Sequence, residues 1–309
     1  MRSLTRAPDT ESLDTESGVG ATQLWHVFRS PRPRIGVISD WTNPVVGEAI
    51  RLLRSRDVIV DLIVPEQGVT ELATLRVEHD LYLLKSGTEL ALSVAGALHA
   101  LGATTLNPYP AVAQLRNKFI VTRVLQQAGI PTPATYLAFN PPELAPLLDD
   151  GPLMVKPYLG VRGEGVRVIR QRRELDELPS KAPTLAQRFH PPDGPDHKLF
   201  CIGGALFGVR RPWPLRTYED KLGEPFRPDA ALRELGERCG GAFGIDLFSM
   251  DVIFSRGQPY VVDINKFGSY MGVPDGPRLL ADYFAAAVYR LRRGEPATPR
   301  GTLANEVGS

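Results

Sequence analysis

The chain has 309 residues, 43% hydrophobic and 23% charged, enough to bury two cores, or one core with lobes, at roughly 100–200 residues per domain. Its 36 Lys+Arg nearly cancel 35 Asp+Glu, leaving a net charge of +1, which excludes a global field able to hold nucleic acid or an anionic membrane; an anionic ligand must be met by local charge. No apolar run approaches the roughly 18 residues of a membrane span, and Cys201 and Cys239 are too far apart for a CxxC metal pattern or a disulfide scaffold, which points to a reducing cytoplasm.

In chain order, residues 1–33 are polar, carry a doubled DTES and lack the apolar core of a secretory signal, so they read as a disordered tail. Arg34 to Asp40 is an apolar strand with a polar end, followed after Pro44 by the helical spacing Val46, Ile50, Leu53. Val58 to Val64, closed by Pro65, and Leu81 to Leu84 are further strands, and a helix from Thr88 to Leu101 stops at Gly102. This alternation predicts a parallel α/β lobe over 34–110. In such sheets ligands sit beyond the carboxyl ends of the strands, which singles out Ser39-Asp40 and Lys85-Ser86; solvated loop residues are the plainer alternative.

A helix from Ala111 to Ala128 and a strand over Thr135 to Ala138 open a second section, 111–186, in which the strand Leu153 to Lys156 meets Val166 to Ile169 across a glycine-rich turn. From there the pattern is antiparallel: Leu199 to Ile202 with Ala205 to Arg210 across Gly203-Gly204, and Phe248 to Phe254 with Tyr260 to Ile264. An amphipathic helix, Pro277 to Arg293, closes a third section, 187–293, and 294–309 read as another disordered tail.

Three constellations carry chemistry. In the second hairpin Asp263 and Asn265 are two apart on one strand and share a face, and the hairpin can bring Asp251 beside them. Two carboxylates and an amide oxygen form a hard, all-oxygen set suited to Mg²⁺, and carboxylates embedded in apolar strands are costly to bury unpaired. Second, Lys156 precedes a loop with Gly160, Gly163 and Gly165, where backbone N–H groups can approach phosphate oxygens beside a lysine; it is neither a GxxxxGK[ST] loop nor the dinucleotide fingerprint. Third, Lys198, Arg210, Arg211, Trp213, Arg216 and Lys221 form a cation and aromatic patch, and the adjacent Arg210 and Arg211 must project to opposite faces of their strand.

In this order the motifs resemble the ATP-grasp superfamily over roughly 34–293: Asn117-Lys118 opening a helix that runs to Gly129-Ile130-Pro131, Met154-Val155-Lys156-Pro157 before the glycine loop, Ala186-Gln187-Arg188-Phe189-His190, and Asp251 with Asp263-Ile264-Asn265. The resemblance implies an α/β ATP-grasp fold, with an N-terminal parallel lobe and two α+β lobes clasping ATP. It further implies that Lys118 and Lys156 contact the nucleotide phosphates, that Gln187, Arg188 and Phe189 read adenine, and that Lys198 meets ribose or phosphate. Arg211 would meet the transferred phosphoryl group. Asp251, Asp263 and Asn265 match ligands of two Mg²⁺ ions, for which Mn²⁺ could stand in.

Two branches of the superfamily compete. The glycine loop after Val155-Lys156-Pro157 is similar to the RimK-type and glutathione-synthetase-type carboxylate–amine ligases, which form an acyl phosphate and then an amide or peptide bond. Asp263-Ile264-Asn265 with its following aromatic, and Arg210-Arg211-Pro212, resemble the inositol trisphosphate kinases, which phosphorylate a hydroxyl. Ligases more often carry Glu where Asp263 stands, whereas the loop lacks the kinases' histidine and the N-terminal lobe shows too few basic residues for several phosphates. The ligase is the favoured expectation, acting on a small molecule or peptide that bears a carboxylate, with Lys85, Ser86, Arg162, Arg210, Ser269 and Tyr270 as candidate substrate contacts. By analogy with similar enzymes the chain would be a homodimer, with neither nucleic acid nor membrane as a partner.

Overall fold

The computed structural model describes residues 32–40, 43–157, 165–179 and 183–298; positions 1–31 and 299–309 of the two expected tails lie outside them. Packing runs on past 294, since Ala297 and Thr298 are buried and Arg290 Nε donates to the Ala297 carbonyl at 3.0 Å. Among the described residues no helix is long and apolar enough to cross a membrane.

The first sheet is parallel, as the alternation predicts: β1 (Arg34–Ile38), β2 (Ile59–Ile63), β3 (Leu81–Leu84) and the two-residue β4 (Thr105–Leu106), in the order β2-β1-β3-β4. Helix α1 (Pro44–Ser55) is started by Asn43, whose side chain accepts from Val46 N at 2.9 Å, with Pro44 in the first turn. Its buried stripe Val46, Ala49, Ile50 and Leu53 covers one face of the sheet. Helix α2 (Glu89–Ala100), capped by Thr88, covers the other with Ala91, Val94, Ala95 and Leu98.

The helix expected from Ala111 to Ala128 is two helices, α3 (Tyr109–Arg116) and α4 (Lys118–Gln127). Asn117 between them is extended (φ −101°, ψ 109°), and its side chain caps α4 by accepting from Phe119 N at 2.9 Å. The competing reading, in which Asn117-Lys118 opens a helix, is the one the backbone follows. Both helices pack with the third sheet through Leu115, Val121 and Leu125.

The second sheet is antiparallel, ordered β5-β8-β6-β7, from β5 (Thr135–Ala138), β6 (Leu153–Pro157), β7 (Arg167–Ile169) and β8 (Thr184–Arg188). A section boundary at 186/187 falls inside β8, all of whose residues pair within this sheet. The third sheet, ordered β11-β10-β9-β12-β13, is antiparallel throughout: β9 (Asp196–Ile202), β10 (Ala205–Arg211), β11 (Glu224–Phe226), β12 (Leu247–Ser255) and β13 (Gln258–Asn265). Helix α5 (Ala230–Phe243) packs Leu232, Leu235, Cys239 and Phe243 on one face of it. On the other face Phe200, Ile202 and Val209 share a core with α1, the first sheet and α6 (Gly276–Arg292). Each such fully buried side chain contributes about 1.5–3 kcal/mol against the entropy of ordering it, so one continuous core fixes the first sheet relative to the third.

Candidate active site

Strand alternation gathers the polar side chains on one face of the third sheet. Along β9, Asp196, Lys198 and Phe200 alternate with His197, Leu199 and Cys201. Asp196 lies opposite Arg211 and Lys198 opposite Asp251; across the β12–β13 hairpin Asp251 faces Asp263 and Ser249 faces Asn265. The other face takes Leu199, Cys201, Met250 and Ile264 into the core beneath α5.

Carboxylates directly opposite each other repel, and here each has its own lysine. Lys198 Nζ donates to Asp251 Oδ2 at 2.7 Å, and Lys118 Nζ, from the first residue of α4, donates to Asp263 Oδ1 at 3.0 Å. Burial alone would raise the Asp263 carboxyl, but the ammonium groups of Lys118 and Lys156 hold it below the usual range. The register shifts between Asp251 and Val252, so Val262 is the extra residue of a bulge. Its carbonyl accepts from Lys156 Nζ at 3.1 Å, which brings the second sheet's lysine to the third sheet's carboxylates.

Lys156 also donates to Gln187 Oε1 at 2.8 Å, and Gln187 Nε2 donates to Thr135 Oγ1 at 3.3 Å. Burial pushes the Lys156 ammonium down to about 8; Asp263 partly offsets this and Lys118 adds to it. Arg211 is 8% exposed, lies over the Phe200 ring at 5.4 Å and donates from Nη2 to the Met271 carbonyl at 3.3 Å. Lys118, Lys156, Gln187 and Asp263 line one cleft between α4, β6, β8 and β13, and the paired Lys198 and Asp251, with Arg211 and the exposed Asn265, continue the charged face of the third sheet beside it.

Other expected site residues are placed differently. Gln187 is 4% exposed and its side chain anchors Lys156, so it is engaged inside the cleft wall. Arg188 donates to the Leu147 and Gly151 carbonyls at 3.0 and 2.6 Å and closes the second sheet's own loops, and the Phe189 ring lies under Arg170 at 5.6 Å. Arg210 is exposed on the face opposite Arg211, over Phe226 at 4.6 Å. As a substrate contact Tyr270 is corrected: it is 0% exposed and donates its hydroxyl to the Cys201 carbonyl at 3.3 Å. Ser86 is likewise 0% exposed, its hydroxyl engaged with Thr88 at the start of α2, while the Ser269 carbonyl accepts from Asn43. Lys85 lies over Phe267 at 5.2 Å. Gly165 is described, with φ +71°; Gly160, Arg162 and Gly163 lie outside the described residues.

Three residues at the site went unselected in the sequence. Asp196, two before Lys198, is pushed up to about 6 by burial and then by Asp251, and its Oδ1 is buried without a hydrogen-bond partner; strand period alone could have found it. Lys266, directly after Asn265, donates to the Ser86 carbonyl at 2.5 Å. Asn107 ties this region together by donating to the carbonyls of Leu247 and Lys266. The last two had no local signal.

The donor set fits a hard divalent cation. Among the described residues no group of three or more His, Cys, Asp or Glu is poised to hold a metal, leaving two opposed carboxylates, the Asn265 amide and the unpartnered Asp196 oxygen nearby. Mg²⁺, which keeps waters and substrate phosphates, needs no larger set.

Residues 215–286 match a family model described as the inositol 1,3,4-trisphosphate 5/6-kinase ATP-grasp domain. The probable alpha-L-glutamate ligase 2 of Shewanella amazonensis is 24% identical over 203 residues, which cover 61% of this chain and 67% of that protein. A probable alpha-L-glutamate ligase of Parasynechococcus marenigrum is 22% identical over 205 residues, covering 61% and 44%. Among solved structures, a RimK domain ATP-grasp protein from Sphaerobacter thermophilus superimposes with a TM-score of 0.66 at 20% identity, covering 81% of this chain and 98% of that one. The D-cycloserine synthetase DcsG gives 0.66 at 16%, covering 84% and 99%. The ATP-grasp ligase PsnB, complexed with a minimal precursor, Mg and ADP, gives 0.62 at 17%, covering 84% and 98%. These structural likenesses establish the fold.

Proposed function

We propose that this chain, a member of the ATP-grasp superfamily, is an ATP-dependent ligase that joins a carboxylate to an amine. The observation that carries the proposal is the gathering of three lysines at the opposed carboxylates Asp251 and Asp263, Lys118 on Asp263, Lys198 on Asp251 and Lys156 on the Val262 carbonyl between them; the ligase names of its relatives support it. A carboxylate oxygen of the acid attacks the γ-phosphorus, the bond to ADP breaks, and the acyl phosphate is then attacked at carbon by the amine, expelling phosphate.

The chain's contribution to these steps is positioning and charge. Lys118 and Lys156 hold the phosphates with the glycine loop Gly160 to Gly165, Lys198 meets ribose or phosphate, and Arg211 faces the transferred phosphoryl group. The adenine sits against Gln187 to Phe189. Asp251, Asp263 and Asn265 would hold Mg²⁺, as two ions for which Mn²⁺ could stand in, and the metal would supply neutralisation of phosphate charge. A homodimeric state and a cytoplasmic setting, the last suggested by two buried free cysteines, belong to the same proposal, as does a division into three lobes, 34–110, 111–186 and 187–293, with the second boundary moved past the end of β8 and the third lobe extended to 298.

The family model matched over 215–286 favours a second reading, transfer to a hydroxyl. Both are tested by supplying purified protein with ATP and Mg²⁺ against amino acids and small acids, and separately against inositol phosphates, and weighing the products. ADP, free phosphate and a product equal to two substrates less water is the expected result. A product heavier by one phosphoryl group, with ADP and no free phosphate, overturns the ligase.

A further inference from the structure

Of the three lysines at the carboxylates, Lys156 is the one held by neutral groups. Lys118 and Lys198 each donate to a carboxylate oxygen, whereas Lys156 donates to the Gln187 amide oxygen at 2.8 Å and to the Val262 carbonyl at 3.1 Å. An ammonium has three donors, so these two bonds orient Lys156 without cancelling its charge by contact, and leave one donor for a phosphate oxygen. Orientation has to be supplied from outside, because a lysine is a point charge on a flexible four-carbon stem.

The direction of the Gln187 amide is set one residue further out. Thr135 lies directly opposite Gln187 across the β5–β8 pair. Its hydroxyl donates to the Pro133 carbonyl at 2.8 Å, and its single hydrogen is committed there. Thr135 Oγ1 can then only accept from Gln187, which turns Nε2 to Thr135, at 3.3 Å, and Oε1 to Lys156. With the amide reversed, donor would face donor at Lys156 and acceptor would face acceptor at Thr135. The chain of bonds closes on the third sheet: the Pro131 carbonyl accepts from Val261 N at 2.8 Å, next to the Val262 carbonyl that Lys156 uses. Residues 131–133, between α4 and β5, are thus bonded to both of the sheets that Lys156 bridges.

We propose that Thr135 and Gln187 are positioning residues: Thr135 fixes the direction of the Gln187 amide, and Gln187 aims the Lys156 ammonium at the nucleotide phosphates. This relay assigns the Gln187 side chain to the lysine and not to the adenine. It rests on the reading of the cleft as a nucleotide site and adds Thr135 to it.

The test is calorimetry on the full chain with Mg²⁺ and a non-hydrolysable ATP analogue. Gln187→Met, which keeps length and removes the acceptor, should weaken binding about tenfold, and Thr135→Val, which keeps shape and removes the hydroxyl, about threefold. Thr135→Ser restores the hydroxyl and should bind within about twofold of the unmodified protein. In a Lys156→Met background, Gln187→Met and Thr135→Val should each change affinity by less than about twofold, because their effect passes through the lysine. Losses as large in that background as with Lys156 present, a Thr135→Ser protein as weak as Thr135→Val, or no loss in either variant overturns the proposal. Thr135→Val, on a half-buried residue of an edge strand, carries the test by itself if Gln187→Met does not fold. The analogue is titrated first into the unmodified protein: its failure to bind takes down the nucleotide reading and the relay together, while binding that the substitutions leave unchanged removes the relay alone.

Discussion

Lys156 carries its charge where burial disfavours it. With the ammonium pushed down to about 8, the nucleotide-free protein loses this positive charge as pH rises through 8, while a phosphate contact requires it. Binding ATP then takes up a proton, and affinity should fall by up to tenfold per pH unit above about 8. Calorimetry between pH 7 and 9.5 in buffers of different ionisation enthalpy reads both effects, and Lys156→Arg, charged throughout, should bind more weakly but with a flat profile. A flat profile for the unmodified protein would remove Lys156 from the phosphate site. The sign for stability is opposite: between about 8 and the ordinary lysine value of 10.5 the unfolded chain binds more protons, so this group adds stability as pH rises through that window.

At the scale of elements, the turn after β13 determines whether Arg211 is held. Gly272 has φ +81°, and a Cβ there would stand 2.0 Å from the Leu222 carbonyl oxygen, a backbone atom that cannot swing aside; its neighbour Met271 offers the carbonyl that Arg211 uses. Gly272→Ala should therefore cost about 2 kcal/mol or more and reduce turnover, whereas Gly102→Ala, at φ +88° with open space around it, should cost about 1 kcal/mol from backbone conformation alone. Urea unfolding of both variants separates the two effects, and equal losses would show that the close approach does not matter. The same elements show what a sequence yields. The parallel lobe and both hairpins were legible because alternation and turn residues are local, and period two placed Asp263 and Asn265 together. The break at Asn117 is invisible to the apolar spacing, which continues across it, and shows only in the Asn117-Lys118 motif; β4 is too short to have a period. Lys266 acquires its meaning from Ser86, 180 positions away, and no local pattern encodes that.

For the molecule as a whole, the cleft is a junction: Lys156 comes from the second sheet, Lys118 from α4, and Lys198, Asp251 and Asp263 from the third sheet. A nucleotide bridging them should stabilise the entire fold, by about 2.7 kcal/mol at a hundred times its dissociation constant, which for a chain of this size is a rise in Tm of about 4–5 °C. If Asp251 and Asp263 hold Mg²⁺, most of that rise should vanish on chelation with EDTA. Asp263→Ala leaves the Lys118 and Lys156 ammonium groups facing each other without their shared carboxylate, so it should lower the nucleotide-free Tm and also lose the Mg²⁺-dependent increment. Differential scanning calorimetry with and without Mg²⁺ distinguishes the two contributions: a lower baseline with an intact Mg²⁺ increment would make Asp263 a partner of the lysines alone and move the metal elsewhere, whereas loss of both ties the carboxylate to the metal and to the lysines at once.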